Sequence, residues 1–264
     1  MMAQTAAGLG RLAAILTVAL GCAAARPAVA GSLEFNPIII DLPAGQHAST
    51  LEVMNRGDQP TVVQVEVFAW SQLGDEDRLQ PTTDIVVSPP AATIAAGEAQ
   101  TVRLILHRGD APKEAFYRVQ ISELPAPGRP AGVAFLINAS LPVFVLPAQR
   151  GNPVLAWRAE RESNGQTVLV ASNTGNREVR ISELTVSLPN GAKVKAQSLG
   201  QMPYVLPDVE RRWRLDGATQ PPLGATLSLS ATTMSMKPET ATVTVASAPP
   251  GAPIARTAAT AKAP

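Results

Sequence analysis

Apolar and polar positions alternate with a period of two over most of the chain, as expected of strands with one buried and one solvated face. Residues 49–54 (STLEVM) alternate and stop at the turn cluster Asn55-Arg56-Gly57-Asp58-Gln59-Pro60. Residues 61–70 set Val63, Val65 and Val67 against Gln64, Glu66 and Phe68. Further runs cover 85–87, 101–106 and 115–124, and 132–146 (GVAFLINASLPVFVL) is the longest β-prone stretch. A second series follows a break near Pro147–Pro153: 154–158, 167–171, 178–188, 193–196, 211–215, 226–229 and 240–246. No helical stripe competes with it. The pattern predicts an all-β chain of two immunoglobulin-like β-sandwich domains, because twelve or thirteen short strands are too many for one. We place these domains at residues 31–148 and 149–246. Residues 247–264 are Ala/Pro/Thr-rich without a period and read as a disordered tail.

Both halves carry one signature. Leu51-Glu-Val-Met-Asn55-Arg-Gly57 resembles Leu169-Val-Ala-Ser-Asn173-Thr-Gly175. In each, a strand runs into an Asn-x-Gly turn, where Asn and Gly are expected to supply positive φ. The repeat suits two sandwiches of related topology.

Residues 1–30 read as an address rather than as fold. Arg11 supplies a positive start, residues 12–25 form an apolar run too short to span a bilayer, and Ala28-Val29-Ala30 is a cleavage signal. The expectation is a secretory signal peptide cut after Ala30, with no stable membrane insertion; the alternative is an N-terminal membrane anchor. The only cysteine, Cys22, lies here, and Ala19-Leu20-Gly21-Cys22 is close to a lipoprotein cleavage site, so lipidation stays open. The mature chain would hold no thiol and no disulfide, and its core alone would stabilise it.

Composition narrows the function. Lys+Arg 22 against Asp+Glu 21 gives a net charge of +1, without the electrostatic reach that nucleic acid demands. Apolar residues at 45% and charged ones at 16% permit a core, and Pro 24 with Gly 19 excludes a helix bundle. Two histidines and one cysteine are too few for a His/Cys metal site. His47 follows a turn and His107 ends a strand, and neither adjoins a nucleophile, so a Ser/His/Asp centre has no basis. Asp75-Glu76-Asp77 reads as a solvated hairpin tip rather than a calcium or glycosidase site. Gly200-Gln-Met-Pro-Tyr204 is no phosphate loop, and the sequon Asn138-Ala139-Ser140 falls inside a strand. We expect no enzyme, cofactor or metal.

The order of motifs carries a resemblance. An early strand over 33–42 leads to Leu51-x-Val-x-Asn55 and then to a long strand ending in Trp70. Next come Val86-Val-Ser-Pro-Pro90, Ile94-Ala-Ala-Gly-Glu98 with Arg103, Tyr117-Arg118-Val-Gln-Ile-Ser-Glu123-Leu-Pro125, and Leu141-Pro-Val-Phe144-Val-Leu-Pro147. Together they resemble the N-terminal domain of the periplasmic pilus-assembly chaperones, the PapD-like family. Tyr204-Val-Leu-Pro207 with Arg211-Arg-Trp213 is similar to the C-terminal domain of the archaic chaperone–usher branch. The resemblance covers about residues 32–246.

It implies a boomerang of two Ig-like domains in the periplasm, with pilus or fimbrial subunits and an outer-membrane usher as partners. A free subunit lacks its last strand, and donor-strand complementation through the chaperone's G strand fills its open groove. By alignment, Val133, Phe135 and Ile137 match the donor residues, and at spacing two they share one face. Leu141 extends the row only if parity holds through Asn138–Ser140. Three such side chains would contribute roughly 5–8 kcal/mol gross on burial, less the costs of association. The other reading of that alternation turns all three into the chaperone's own core. A free apolar edge invites pairing, so the subunit-free chaperone is expected to self-associate or cover it.

The family's cationic pair for the subunit's terminal carboxylate is missing: neither Asn36-Pro-Ile-Ile-Ile-Asp41 nor Asn138-Ala-Ser-Leu-Pro142 holds a basic residue. A guanidinium suits a carboxylate, which leaves Arg118 as first candidate, otherwise an ion pair with Glu123, and Arg103 as second. The family's arginine before the proline after G is absent too, so apolar contacts are expected to orient the domains. One rival is a two-domain Ig-like secreted structural or adhesive module, such as a pilus component; another is a hydrolase on a β scaffold.

Overall fold

The structure, a computed structural model, describes residues 33–107, 109, 113–125, 136–149, 151–217, 220–233 and 238–249. Among them every regular element is a strand, β1 to β18 in chain order. One sheet has the order β1 (Leu33–Asn36), β3 (Ala48–Asn55), β8 (Ala99–Leu106), β6 (Ile85–Ser88). The facing sheet runs β2 (Ile40–Leu42), β10 (Asn138–Val145), β9 (Ala115–Leu124), β4 (Thr61–Leu73), β5 (Glu76–Pro81), with β7 (Ala91–Ile94) also on β4. Alternate residues of both sheets meet in one core, including Leu51, Val53, Val63, Leu104, Val119 and Val143. The alternation read along the sequence is this inward row.

The early strand is not continuous. Pro37 has no N–H to continue a ladder, so the chain leaves β1 on β3 and re-enters as β2, parallel to β10 on the other sheet. The charged β5 and the short β7 carry too little alternation to be read from sequence. Within residues 132–146, the described strand is Asn138–Val145.

The second half is one sheet in the order β14 (Lys193–Ser198), β16 (Val209–Leu215), β12 (Thr167–Asn173), β11 (Leu155–Arg161), β18 (Pro238–Ser247), β17 (Thr226–Thr233), β13 (Val179–Ser187), β15 (Tyr204–Val205). β13 also pairs with β14, which closes the sheet around its own core of Leu169, Ile181, Leu184, Val186, Trp213 and Leu227. Closure uses up strand edges.

The repeated Asn-x-Gly works differently from the sequence expectation. Neither Gly57 nor Gly175 is among the glycines with positive φ. Instead the asparagine is buried and acts through its side chain. Asn55 Nδ2 donates to the carbonyls of Gln59 and Ile94 at 2.8 and 3.0 Å, and its Oδ1 accepts from Gly57 N–H at 2.9 Å. Asn173 repeats this with Arg177, Val205 and Gly175 at 2.7, 3.0 and 3.1 Å. Each holds its turn against the neighbouring strand, and an unpaired buried amide there would cost about 1–3 kcal/mol. Gly175 is required by space: a Cβ would overlap the backbone of Asn152 and Val154.

Candidate functional site

β10 is covered on one side only over part of its length. It pairs antiparallel with β9 throughout, from Asn138↔Ser122 to Val145↔Ala115. On its other side β2 covers only Val143, Phe144 and Val145. Among the described residues, 138–142 therefore present one free edge. Glu123 N–H donates to Ile137 carbonyl on the β9 side at 2.8 Å. Main-chain groups alternate along an antiparallel ladder, so those of Asn138 and Ser140 point to the free side. Pro142, which has no N–H, sits at a position of that same parity.

Side-chain parity is unbroken through this stretch. Leu141, Val143 and Val145 are buried in the first core, with Ala139 packed against it. Parity holds through residues 138–140, so Leu141 does share the face of Ile137, but as a donor residue it is corrected, because it is 9% exposed and fills the domain's own core. Ile137 continues the same face at the margin of the sandwich and is half-buried. Val133 and Phe135 lie outside the described residues.

Arg118 projects from β9 on the outer face of this sheet. It is buried, its Nε donating to Ser140 Oγ at 3.1 Å and its Nη2 to Ser140 carbonyl at 2.7 Å. The guanidinium lies 4.9 Å over the Trp70 ring, and Nη1 is buried without a hydrogen-bond partner. Burial lowers its pKa. The expected alternative, a pair with Glu123, does not form: that carboxylate accepts from Thr61 Oγ1 and from Ile137 N–H. Arg103 is corrected as an anchor, because it is exposed on β8 of the opposite sheet, between Thr50 and Ser88 of the adjoining strands. His47 and His107 are exposed at the ends of strands.

Beyond Arg118 the same face meets the second domain. Trp70, Phe144, Leu146, Tyr204 and Leu206 form a separate buried cluster across the joint, with ring centroids 5.4 Å apart for Trp70–Tyr204 and 6.0 Å for Phe144–Tyr204. Apolar contact thus does hold the domains together, as expected, but polar groups join it. Gln72 Nε2 donates to Tyr204 carbonyl and its Oε1 accepts from Leu206 N–H, at 3.1 and 3.0 Å.

The expectation of a solvated Asp75-Glu76-Asp77 tip is overturned. Asp77 is bonded by Arg211 Nη2 at 3.0 Å, with side-chain exposures of 4% and 1%. Arg211 also donates to the carbonyls of Gly74 and Met202. Asp75 receives Arg212 N–H at 3.0 Å and Arg212 Nε at 2.7 Å. The hairpin tip is acidic because two arginines of β16 grip it, and sequence adjacency offered no sign of partners more than a hundred residues away. The remaining oxygen of Asp77 accepts from Trp70 Nε1 at 3.0 Å, so the grip ends on the ring beneath Arg118.

A second acidic contact crosses the joint. Glu178 N–H donates to Glu114 Oε2 at 3.2 Å. Burial, and then the facing Glu178 carboxylate, pushes Glu114 up to about 8, and burial raises Glu178 too. A group with a raised folded-state pKa contributes stability that is complete below its unfolded value, near 4.5, and lost as pH rises through the folded one. The melting temperature is therefore expected to fall from about pH 5 to about pH 9, and Glu114→Gln to flatten that decline; an equal slope in the variant would contradict this assignment.

Among the described residues no cluster of His, Cys, Asp and Glu could hold a metal ion, and no helix is long and apolar enough to cross a membrane. Paired immunoglobulin-like domains, an open strand edge and a buried guanidinium beside it make up the candidate site. Residues 32–150 match the family model for the pili and flagellar-assembly chaperone, PapD N-terminal domain. A chain of the CsuC–CsuE chaperone–tip adhesion subunit pre-assembly complex, from the archaic chaperone–usher Csu pili of Acinetobacter baumannii, is 26% identical. It aligns over 82% of this chain and 100% of its own, with a TM-score of 0.60. The YadV chaperone shares the fold at 17% identity, 80% and 98% coverage and a TM-score of 0.59. A chain of the Salmonella enterica SafA pilin–SafB chaperone complex does so at 20% identity, 81% and 96% coverage and a TM-score of 0.57. No curated protein sequence matches significantly. Residues 32–150 thus match the PapD N-terminal domain family, and the chain as a whole resembles a chain of an archaic chaperone–usher pre-assembly complex.

Proposed function

We propose that this protein is a periplasmic chaperone that holds unfinished pilus subunits by lending them the free edge of β10 and the apolar row that precedes it. It then passes them to an outer-membrane usher. The uncovered stretch 138–142 carries this reading. A subunit strand pairing there would satisfy the outward groups of Asn138 and the N–H of Ser140, whose carbonyl already accepts from Arg118, and continue the sheet. The inner part of the apolar row, from Ala139 to Val145, belongs to the chaperone's core. The outer part, Val133, Phe135 and Ile137, is what remains to enter a subunit's groove. Arg118, at the end of the free edge, is positioned to meet the subunit's terminal carboxylate. The signal segment, cut after Ala30, would deliver the chain to the periplasm. Binding and release need no catalytic group, cofactor or metal.

The test is coexpression with a small secreted pilus subunit, followed by co-purification. Phe135→Asp is expected to reduce capture roughly 10- to 100-fold, since burying one such side chain contributes about 1.5–3 kcal/mol. Undiminished capture by a folded variant would contradict the donor row.

A further inference from the structure

We propose that Arg180, supplied by the second domain, is the partner cation of Arg118, and that the two guanidiniums close on one carboxylate bridging the domains. This rests on the reading above that a subunit's chain end enters the cleft. It adds that the second domain is part of the site.

The placement follows from β13. Val179 and Ile181 are buried in the second core, so Arg180 between them points the other way. It pairs across the strands with Tyr204, and its guanidinium lies 6.0 Å from the Tyr204 ring. That ring packs on Trp70, over whose face Arg118 lies. Both guanidiniums act on the Tyr204 phenol, which burial pushes up and the two cations pull down. Arg118 and Arg180 therefore approach one tyrosine from opposite domains.

Both are short of partners. Arg118 Nη1 and Arg180 Nε are buried without hydrogen bonds. Among the described residues neither is ion-paired to a carboxylate, whereas Arg158, Arg211 and Arg212 each are. Of the acids nearby, Asp77 is held by Arg211; Glu178 lies 3.5 Å from Arg177, with its Oε2 buried and not hydrogen-bonded, and Glu178 and Asp41 also act on Tyr204. A buried guanidinium beside a half-buried one, neither of them neutralised, is costly, and an anion accepting from both would offset that cost. Two planar donor forks suit a carboxylate. Its source is fixed by the free edge, which reaches Ser140, the residue that Arg118 bonds. A strand paired along 138–142 would end at the guanidiniums.

The experiment uses the whole chain, with N-acetylphenylalanine as a chain-end probe and its amide as control, followed by the Nε–Hε resonances of the arginines. The acid is expected to shift both Arg118 and Arg180, and the amide neither. Arg180→Met should weaken the acid about 10-fold, 1.4 kcal/mol, with Arg180→Lys regaining part of the loss. A structural role in stacking on Tyr204 would not discriminate acid from amide. If Arg118→Met weakens the acid while Arg180→Met and Arg180→Gln titrate like the parent, the bridging inference is overturned and the one-cation anchor stands. If neither position affects the acid, the carboxylate reading of the cleft fails as well.

Discussion

Replacing Arg211 by alanine should uncouple the two domains at a cost of about 3–5 kcal/mol, the usual penalty for removing one member of a buried ion pair. Arg211 is among the largest fully buried side chains. It ties Asp77 and the Gly74 carbonyl of the first domain to the Met202 carbonyl of the second. Alanine would leave the Asp77 carboxylate buried with only neutral donors, Trp70 and Gln72. Calorimetry should then show one cooperative transition becoming two, and scattering should show a wider spread of domain orientations. A single transition at an unchanged midpoint would contradict the clamp. Gly200→Ala should act in the same direction, because a Cβ there would overlap the Arg211 guanidinium.

The second large effect separates core from donor along one strand face. Leu141→Ala should destabilise the first domain by about 2–5 kcal/mol, the range for emptying a buried leucine site. Ile137→Ala, at the half-buried margin, should cost about 1 kcal/mol or less in stability, yet weaken subunit capture measurably. Urea unfolding of each variant beside co-purification with the subunit provides the comparison. If Ile137→Ala unfolds the domain as readily as Leu141→Ala does, residue 137 belongs to the core and the donor row must begin further out.

Much of the fold was legible because a two-residue period reports directly on which face is buried. The strands around Val63, Val102 and Val119 follow from alternation alone. Lone polar residues are less legible. Asn55 and Asn173 stand out as a repeat, but each acts as a side-chain bridge that no local turn rule supplies. Asp75 and Asp77 look like a solvated tip because nothing nearby opposes them, and Arg211 and Arg212 become their partners only when the domains meet. Arg180 left no signal at all, since an arginine at an alternate position of a strand reads as solvated. Arg118 was legible only through its place beside the last strand of the first domain. Its bonds to Ser140 and its seat on Trp70 depend on three strands converging.

Amide hydrogen exchange at Asn138 and Ser140, in the free protein and in its proposed complex with a subunit, addresses the free edge most directly. Their N–H groups should exchange quickly in the free protein, while those of Leu141 and Val143, which face β9, stay protected. In the complex, Asn138 and Ser140 should become protected. Fast exchange at both positions in a complex that is otherwise intact would mean the subunit is held elsewhere, and strand lending by β10 would be wrong.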